Sequence, residues 1–219
     1  MASEFVLYSY FRSSASYRVR IALNLKNIPF DYRPVHLLNN GGEQHTDEYK
    51  KVNPSREVPT LVHNGKPLGQ SLAIIDYLDR VKPEPRLFPE DAYERAQVIQ
   101  ACEIVNSGVQ PLHNLRVLDL LQKRFGSDQS GRDAWTVHWI EYGMKSLETF
   151  LAPRAGLHCF GDKISAADCF VIPHLTNADR FKVSIDPYPT LSRLKGVAAK
   201  IEAFVKASPD AQPDSPQAR

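Results

Sequence analysis

Residues 8–23 read YSYFRSSASYRVRIAL, and this stretch decides the fold. The pattern predicts a strand from Phe5 to Tyr10, a hydroxyl-rich turn, and an amphipathic helix from about Ser14 to Lys26. The turn therefore puts three serines at the amino end of a helix: Ser13, Ser14 and Ser16. Free backbone N–H groups and the helix macrodipole favour negative charge at that end, so the turn can hold a phosphate, a carboxylate or a thiolate. A serine there can also simply cap the helix.

Composition narrows the class of protein. With 219 residues the chain can form one large domain or two small ones. The net charge of +2, with lysines and arginines dispersed, gives no reason to expect nucleic acid. No stretch approaches the roughly 20 apolar residues of a membrane span, and no leader-like segment opens the sequence. Cys102, Cys159 and Cys169 lack the spacing of a zinc or dithiol site, so we expect reduced cysteines and a cytoplasmic protein.

The first eighty residues alternate strand and helix signals. A second strand is predicted from Phe30 to Leu37, at a sheet edge because it contains Pro34. Asn64-Gly65 predicts a hairpin between two further strands. A helix with Ser71 as its N-cap follows. The order β-α-β-loop-β-β-α predicts a small mixed sheet packed with helices, over residues 1–82.

After this alternation the pattern is helical throughout. Prolines mark a linker at 83–90, and helices are predicted over 91–125, with a kink at Pro111, and over 133–151. A third helix begins with a capping box at Ser165, and a last one covers 190–207. We therefore expect an all-helical domain over 91–208. The tail, 209–219, is rich in Pro, Gln and Asp and is predicted to be disordered.

This layout, an α/β half, a proline linker and an all-α half, resembles the glutathione transferases. Five motifs are similar to those of the zeta class, the maleylacetoacetate isomerases: Ser13 to Leu23, Asn53-Pro54 with Val58 to Leu61, Gln70 to Ile75, Gln110 to Leu112 with Asn114-Leu115, and Asn177 to Phe181. The resemblance runs from Phe5 to about Pro209. It implies a thioredoxin-like glutathione-binding domain followed by an all-helical substrate domain, and a homodimer.

The resemblance also implies how glutathione is held. Ser13 or Ser14 would donate a hydrogen bond to the sulfur and stabilise its thiolate. Val58 would precede a cis proline, Pro59, and pair through its backbone with the cysteinyl part of the tripeptide. The remaining glutathione contacts that the family pattern implies are Ser16, Gln44, Gln70, Ser71, Gln110 and Asn114. Gln70 and Ser71 would take the γ-glutamyl carboxylate.

Arginines dominate the implied substrate contacts. Arg12, Arg116 and Arg180 match positions that face the substrate in the family, and His113, beside Gln110 and Asn114 in sequence, could also touch it. Guanidinium groups bind carboxylates bidentately, and a diketo-dicarboxylate offers two. Arg12 adjoins the serine turn and joins Ser13 and Ser14 as a catalytic candidate. The seven histidines show no metal-binding spacing, so no metal site is predicted.

The implied reaction is a cis–trans isomerisation. The glutathione thiolate adds to the cis double bond of maleylacetoacetate, rotation follows, and elimination leaves fumarylacetoacetate. Zeta enzymes often carry cysteine where this chain has Ala15, so no added nucleophile is present there. Three alternatives stay open: maleylpyruvate isomerase, a transferase acting on small α-halo acids, and a non-catalytic interaction module.

Overall fold

The computed structural model describes residues 3–218, which form two compact units. The first takes in the chain up to Leu87 and again from Ala199 onward, and the second runs from Phe88 to Ala198. The break at Leu87 falls inside the predicted linker. The predicted end of the helical domain at residue 208 needs correction, because 199–208 belong to the first unit.

A four-stranded mixed sheet forms the centre of the first unit. Its strands are β1 (Phe5–Ser9), β2 (Asp31–Pro34), β3 (Thr60–His63) and β4 (Lys66–Gly69), in the order β2-β1-β3-β4. β1 pairs parallel with β2 and antiparallel with β3, which forms the hairpin with β4. Pro34 lies on an edge strand, as predicted. The helices of this unit are α1 (Ser14–Leu25), α2 (Asp47–Val52), α3 (Ser71–Val81) and α9 (Glu202–Ala207).

Local sequence explains these elements. Asn64 and Gly65 both have positive φ, 51° and 75°, which a two-residue hairpin turn of type I′ requires. Leu7 of β1, Leu61 of β3 and Ile21 of α1 are buried, so the sheet and α1 share a core. The predicted thioredoxin-like half is therefore confirmed.

Apart from two isolated β-bridges, the regular elements of the second unit are helices. They are α4 (Ala92–Asn106), α5 (Leu115–Phe125), α6 (Gln129–Leu151), α7 (Ala166–Arg180) and α8 (Pro189–Ala198). The prediction of one helix over 91–125, kinked at Pro111, is wrong, since a 3-10 turn separates α4 from α5. Asn114 makes the break complete, because its side chain accepts the amide of Arg116 and caps a new helix. The capping box at Ser165 and Asp168 is confirmed.

The end of the chain differs most from its prediction. The predicted helix over 190–207 is two helices, α8 and α9, in different units. The predicted disorder of 209–219 is wrong over 209–218, where a 3-10 turn spans Pro209–Ala211 and Gln212 and Ser215 are buried. The Gln212 amide donates to two carbonyls at the end of α9, a specific tie that composition does not reveal. Arg219, like Met1 and Ala2, lies outside the described residues.

Over residues 3–218, the helices lack the combination of length and apolar content that crossing a bilayer requires.

Candidate active site

The turn between β1 and α1 ends in a capped helix. Ser13 is the N-cap of α1, with φ −70° and ψ 117°, and its Oγ accepts the amide of Ser16 at 3.2 Å. The capping role therefore uses an acceptor site of the Ser13 hydroxyl and leaves its proton to be donated. The first turn of α1 carries no acidic side chain, so the positive end of the helix dipole is not neutralised.

The other two serines of the turn have different environments. Ser14 is the first residue of α1 and is half-buried, and its hydroxyl makes no hydrogen bond within residues 3–218. Ser16 is fully buried, and its hydroxyl has no partner in that range either. Ser13 and Ser14 are thus the hydroxyls of the turn that retain exposure. A direct contact of Ser16 with a ligand stays a prediction.

Arg12 places a cation next to these hydroxyls. Its guanidinium carbon lies 5.9 Å from the ring centre of Tyr10 and 6.0 Å from that of Phe11. No carboxylate forms an ion pair with it in the part of the chain that the structure describes. A half-buried guanidinium of this kind is available for an incoming carboxylate.

The backbone at Val58 is open to a peptide-like ligand. The Val58–Pro59 bond is cis, as the resemblance implied. Within residues 3–218, neither the N–H nor the C=O of Val58 makes a hydrogen bond, although its side chain is buried. Since buried backbone groups are nearly always paired, this unused donor and acceptor indicate a ligand with its own amide group.

The start of α3 is a second open helix end. Gln70, rather than the predicted Ser71, is the N-cap, and it has φ 65° and no capping hydrogen bond from its side chain. Its amide instead donates to Glu57 at 3.1 Å. Ser71 begins the helix, is buried, and accepts a hydrogen bond from Arg18 at 3.0 Å. With no acidic residue in its first turn, the positive end of the α3 dipole is not neutralised and suits a carboxylate.

Gln44 lies in a 3-10 turn before α2. Its side-chain nitrogen contacts the carbonyl of Leu37 at 3.4 Å, but its buried oxygen Oε1 has no partner within residues 3–218. An orphaned buried acceptor costs stability unless a ligand N–H completes it.

Two buried arginines of α1 support these helix starts, and the sequence reading missed both. Arg18 donates to Ser71 at the start of α3. Arg20 donates to the carbonyls of Tyr10 (3.3 Å) and Phe11 (3.0 Å), which precede the start of α1. Burial lowers the pKa of Arg20 to about 10, so it still carries its charge at neutral pH. The available signal was an Arg-Val-Arg sequence inside an otherwise apolar helical run.

The remaining predicted site residues lie in the second unit. Gln110 and His113 bound the 3-10 turn before α5, and Asn114 caps that helix. Arg116 is exposed in the first turn of α5, and Arg180 is exposed at the end of α7, 5.1 Å from the ring of Phe181. Their roles toward a ligand stay predictions. Within residues 3–218, no three His, Cys, Asp or Glu side chains gather in a group that could hold a metal ion.

The chain is similar to known proteins in both sequence and structure. Residues 7–86 match the family model of the glutathione S-transferase N-terminal domain. The chain is 44% identical over 211 residues to maleylacetoacetate isomerase of Rattus norvegicus, covering 96% of this chain and 95% of that protein. It is similar to the holo structure of a bacterial zeta-class maleylpyruvate isomerase (TM-score 0.92, 40% identity, 96% of this chain and 99% of that chain). It also resembles a Methylobacterium extorquens maleylacetoacetate isomerase with bound malonate and glutathione (TM-score 0.92, 34% identity, 96% and 99%).

Proposed function

The chain belongs to the zeta class of the glutathione S-transferases, and we propose that it is a glutathione-dependent isomerase converting maleylacetoacetate to fumarylacetoacetate in the breakdown of tyrosine and phenylalanine. The observation that carries the proposal is the Arg12-Ser13-Ser14 turn. It combines a guanidinium that forms no ion pair within residues 3–218 with two donor hydroxyls, at a helix start whose first turn carries no acidic side chain. These groups suit an isomerase of a dicarboxylic substrate, because a guanidinium binds carboxylates and hydroxyl donors stabilise a thiolate.

The first unit fits glutathione at three separate points. Val58 would pair with the cysteinyl amide through its unused N–H and C=O, and the orphaned oxygen of Gln44 would accept a further N–H. The open start of α3, with Gln70 and Ser71, would take the γ-glutamyl carboxylate. Glutathione supplies a thiol that adds reversibly to the cis double bond, allows rotation, and is regenerated.

Ser13 and Ser14 lower the pKa of the cofactor's thiol. A hydroxyl that donates to sulfur stabilises the thiolate, and a helix start can bring a thiol pKa from about 8.5 into or below the physiological range. The Ser16 amide holds Ser13 Oγ in place, so its proton is oriented before a ligand arrives. Ser14 supplies the second hydroxyl.

Arg12 anchors a substrate carboxylate and stabilises negative charge that develops on the substrate's oxygen. The malonate bound to the Methylobacterium relative is a small dicarboxylate, which supports this substrate class. From the family pattern, Arg116, Arg180 and His113 are assigned to the substrate, and Gln110 and Asn114 to glutathione.

A specific observation also favours maleylpyruvate as the substrate. The zeta-class maleylpyruvate isomerase has a TM-score of 0.92 to this chain, as high as the Methylobacterium maleylacetoacetate isomerase. The two reactions share their chemistry and differ in the length of the diketo acid. We therefore treat maleylpyruvate isomerase as the second candidate.

The test is an absorbance assay of both substrates, with and without glutathione, on the wild-type protein and on Ser13→Ala and Ser14→Ala. Ser192→Ala, exposed on α8, is the matched control. Glutathione-dependent turnover with no loss of free thiol supports an isomerase, and the faster substrate identifies it. Stable conjugates with α-halo acids would instead indicate a transferase, and failure to bind glutathione would indicate an interaction module.

We also propose a cytoplasmic homodimer. The three cysteines are buried and none of them is in a disulfide, which suits a reducing compartment. Tyr93 and Phe125 of the second unit are more than two-thirds exposed, and large exposed aromatic side chains are typical of interfaces. Light scattering of the purified protein tests the dimer, with a mass of about twice 24.7 kDa expected.

A further inference from the structure

The end of the chain reaches the turn that carries Arg12, Ser13 and Ser14. The amide of Phe11 donates to Oδ2 of Asp214 at 3.0 Å, a contact that spans 203 positions of sequence. Both residues belong to the first unit. Phe11 immediately precedes the site residues, so the orientation of its peptide groups determines the positions of Arg12 and Ser13.

The two peptide groups of Phe11 are held from opposite ends of the sequence. Asp214 accepts its N–H, while Arg20 of α1 donates to its C=O at 3.0 Å and to the carbonyl of Tyr10 at 3.3 Å. The Ser13 amide returns to the Tyr10 carbonyl at 3.0 Å. Two charged side chains from outside the turn, Arg20 and Asp214, therefore hold its backbone together with the Ser13 amide.

The second oxygen of Asp214 ties the segment to the sheet. Oδ1 accepts the hydroxyl of Tyr32, on edge strand β2, at 2.6 Å. Burial, and then this hydrogen bond, raise the pKa of Tyr32, so it remains a donor across the physiological range. One carboxylate thus bridges β2 and the site turn.

The segment that carries Asp214 is itself anchored. The Gln212 amide donates to the carbonyls of Lys206 and Ser208, at 2.9 and 2.8 Å, and the Ser215 amide donates to the Gln212 carbonyl at 2.9 Å. Arg20 also donates to the carbonyl of Ala207, at the end of α9, at 2.9 Å. The same guanidinium therefore holds the site turn and the base of the segment.

We propose that Asp214 is a positioning residue for thiol activation: the 212–215 segment fixes the Phe11 peptide and so sets the orientation of the Ser13 and Ser14 hydroxyls toward the glutathione sulfur. This inference rests on the proposed function for the identity of the thiol. Asp214 touches neither cofactor nor substrate in this scheme. Its effect follows from orientation, to which hydrogen-bond stabilisation of a developing charge is sensitive.

The experiment compares Asp214→Asn and Tyr32→Phe with a matched control, Asp210→Asn, which changes an exposed carboxylate four residues away. Asparagine keeps the shape of the side chain, but its NH₂ group would face one of the two donors. Three quantities are measured: hydrogen exchange over residues 9–13, the pKa of the bound glutathione thiol from thiolate absorbance, and kcat at saturating glutathione.

We expect Asp214→Asn to speed exchange over 9–13, raise the thiol pKa, and lower kcat about tenfold, since small misplacements of reacting groups have effects of this size. Tyr32→Phe should give smaller shifts in the same directions, and Asp210→Asn none. The proposal is overturned if both variants fold, bind glutathione, and match Asp210→Asn in thiol pKa and kcat. If Asp214→Asn does not fold, Tyr32→Phe decides on the same criteria.

The positioning role of Asp214 and the proposed function can be contradicted separately. Hydrogen exchange reports on the hydrogen bond between Asp214 and the turn in the absence of any ligand. An unchanged exchange rate in Asp214→Asn therefore contradicts the inference and leaves the proposed function untouched. A wild-type protein that binds no glutathione contradicts the proposed function, whatever the exchange result.

Discussion

Two helices of the first unit begin in opposite ways, although both are assigned to one cofactor. The start of α1 is closed: Ser13 caps it, and Arg20 and Asp214 hold the preceding turn. The start of α3 is open: Gln70 has positive φ and offers no side-chain cap. Each start is supported by an arginine of α1, Arg20 for the first and Arg18 for the second.

The two helix starts suit two different tasks, orienting a hydroxyl and binding a carboxylate. An activating hydroxyl must point at one sulfur atom, so the turn that carries it is fixed in advance. A carboxylate has two oxygens and accepts hydrogen bonds over a range of directions, so free amides at an uncapped start suffice. The α1 start should therefore control turnover, and the α3 start should control affinity for glutathione.

Removing the support of the closed start should have the largest effect. In Arg20→Met, the carbonyls of Phe11 and Ala207 lose the Arg20 donor and that of Tyr10 keeps only the Ser13 amide, so we expect the free energy of unfolding to fall by about 3 kcal/mol or more. Urea denaturation measures it. Arg33→Met, on an exposed position of β2, is the control, and a loss as small as the control's would contradict the assigned role.

Ser13→Ala tests the closed start directly. It removes both the cap and the donor to sulfur, so we expect kcat to fall about 100-fold and the free energy of unfolding to fall by about 1 kcal/mol. Ser13→Thr keeps both groups and should restore both quantities. If kcat is unchanged while stability falls, Ser13 only caps α1 and thiol activation belongs to Ser14.

Ser71→Ala tests the open start, and the comparison predicts the reverse pattern. Losing one hydrogen bond to a charged group should weaken glutathione binding about tenfold, with kcat at saturating glutathione nearly unchanged. Calorimetric titration and steady-state assays measure the two, with Ser55→Ala as an exposed control. A large drop in kcat with unchanged affinity would reverse the roles of the two helix starts.

The smallest effect concerns the backbone of Gln70. At φ 65° a residue with a Cβ is strained, so Gln70→Gly should be more stable to unfolding than Gln70→Ala by about 1 kcal/mol. Thermal denaturation of the two variants measures the difference. Both should bind glutathione equally if the Gln70 side chain, rather than its backbone, contributes to affinity.

Patterns of local sequence predicted most of the first unit. The strand-turn-helix at 5–25, the Asn64-Gly65 hairpin and the edge position of Pro34 all follow from residues that interact with near neighbours in the chain. The site turn was found for the same reason, since a helix start and its serines are adjacent in sequence.

Features that depend on distant partners were missed or misread. The 209–218 segment has the composition of a disordered tail, yet Asp214 meets Phe11 and Tyr32, more than 180 positions away. Arg18 and Arg20 carried no role in the sequence reading, because their acceptors lie on other elements. Near Pro111 the sequence predicted a kinked helix, but Asn114 caps a new helix there, so α4 and α5 are separate.

The discontinuity of the first unit has a consequence for biosynthesis. Its sheet is translated first, but Ala207 and Asp214, which accept hydrogen bonds from Arg20 and Phe11, follow those two residues by 187 and 203 positions. The helical unit, residues 88–198, is therefore synthesised before the Phe11 amide can meet its acceptor on Asp214. The backbone of the site turn is therefore fully held only after residue 214 has left the ribosome, and a chain truncated before that residue keeps every serine and arginine of the turn but lacks this hydrogen bond.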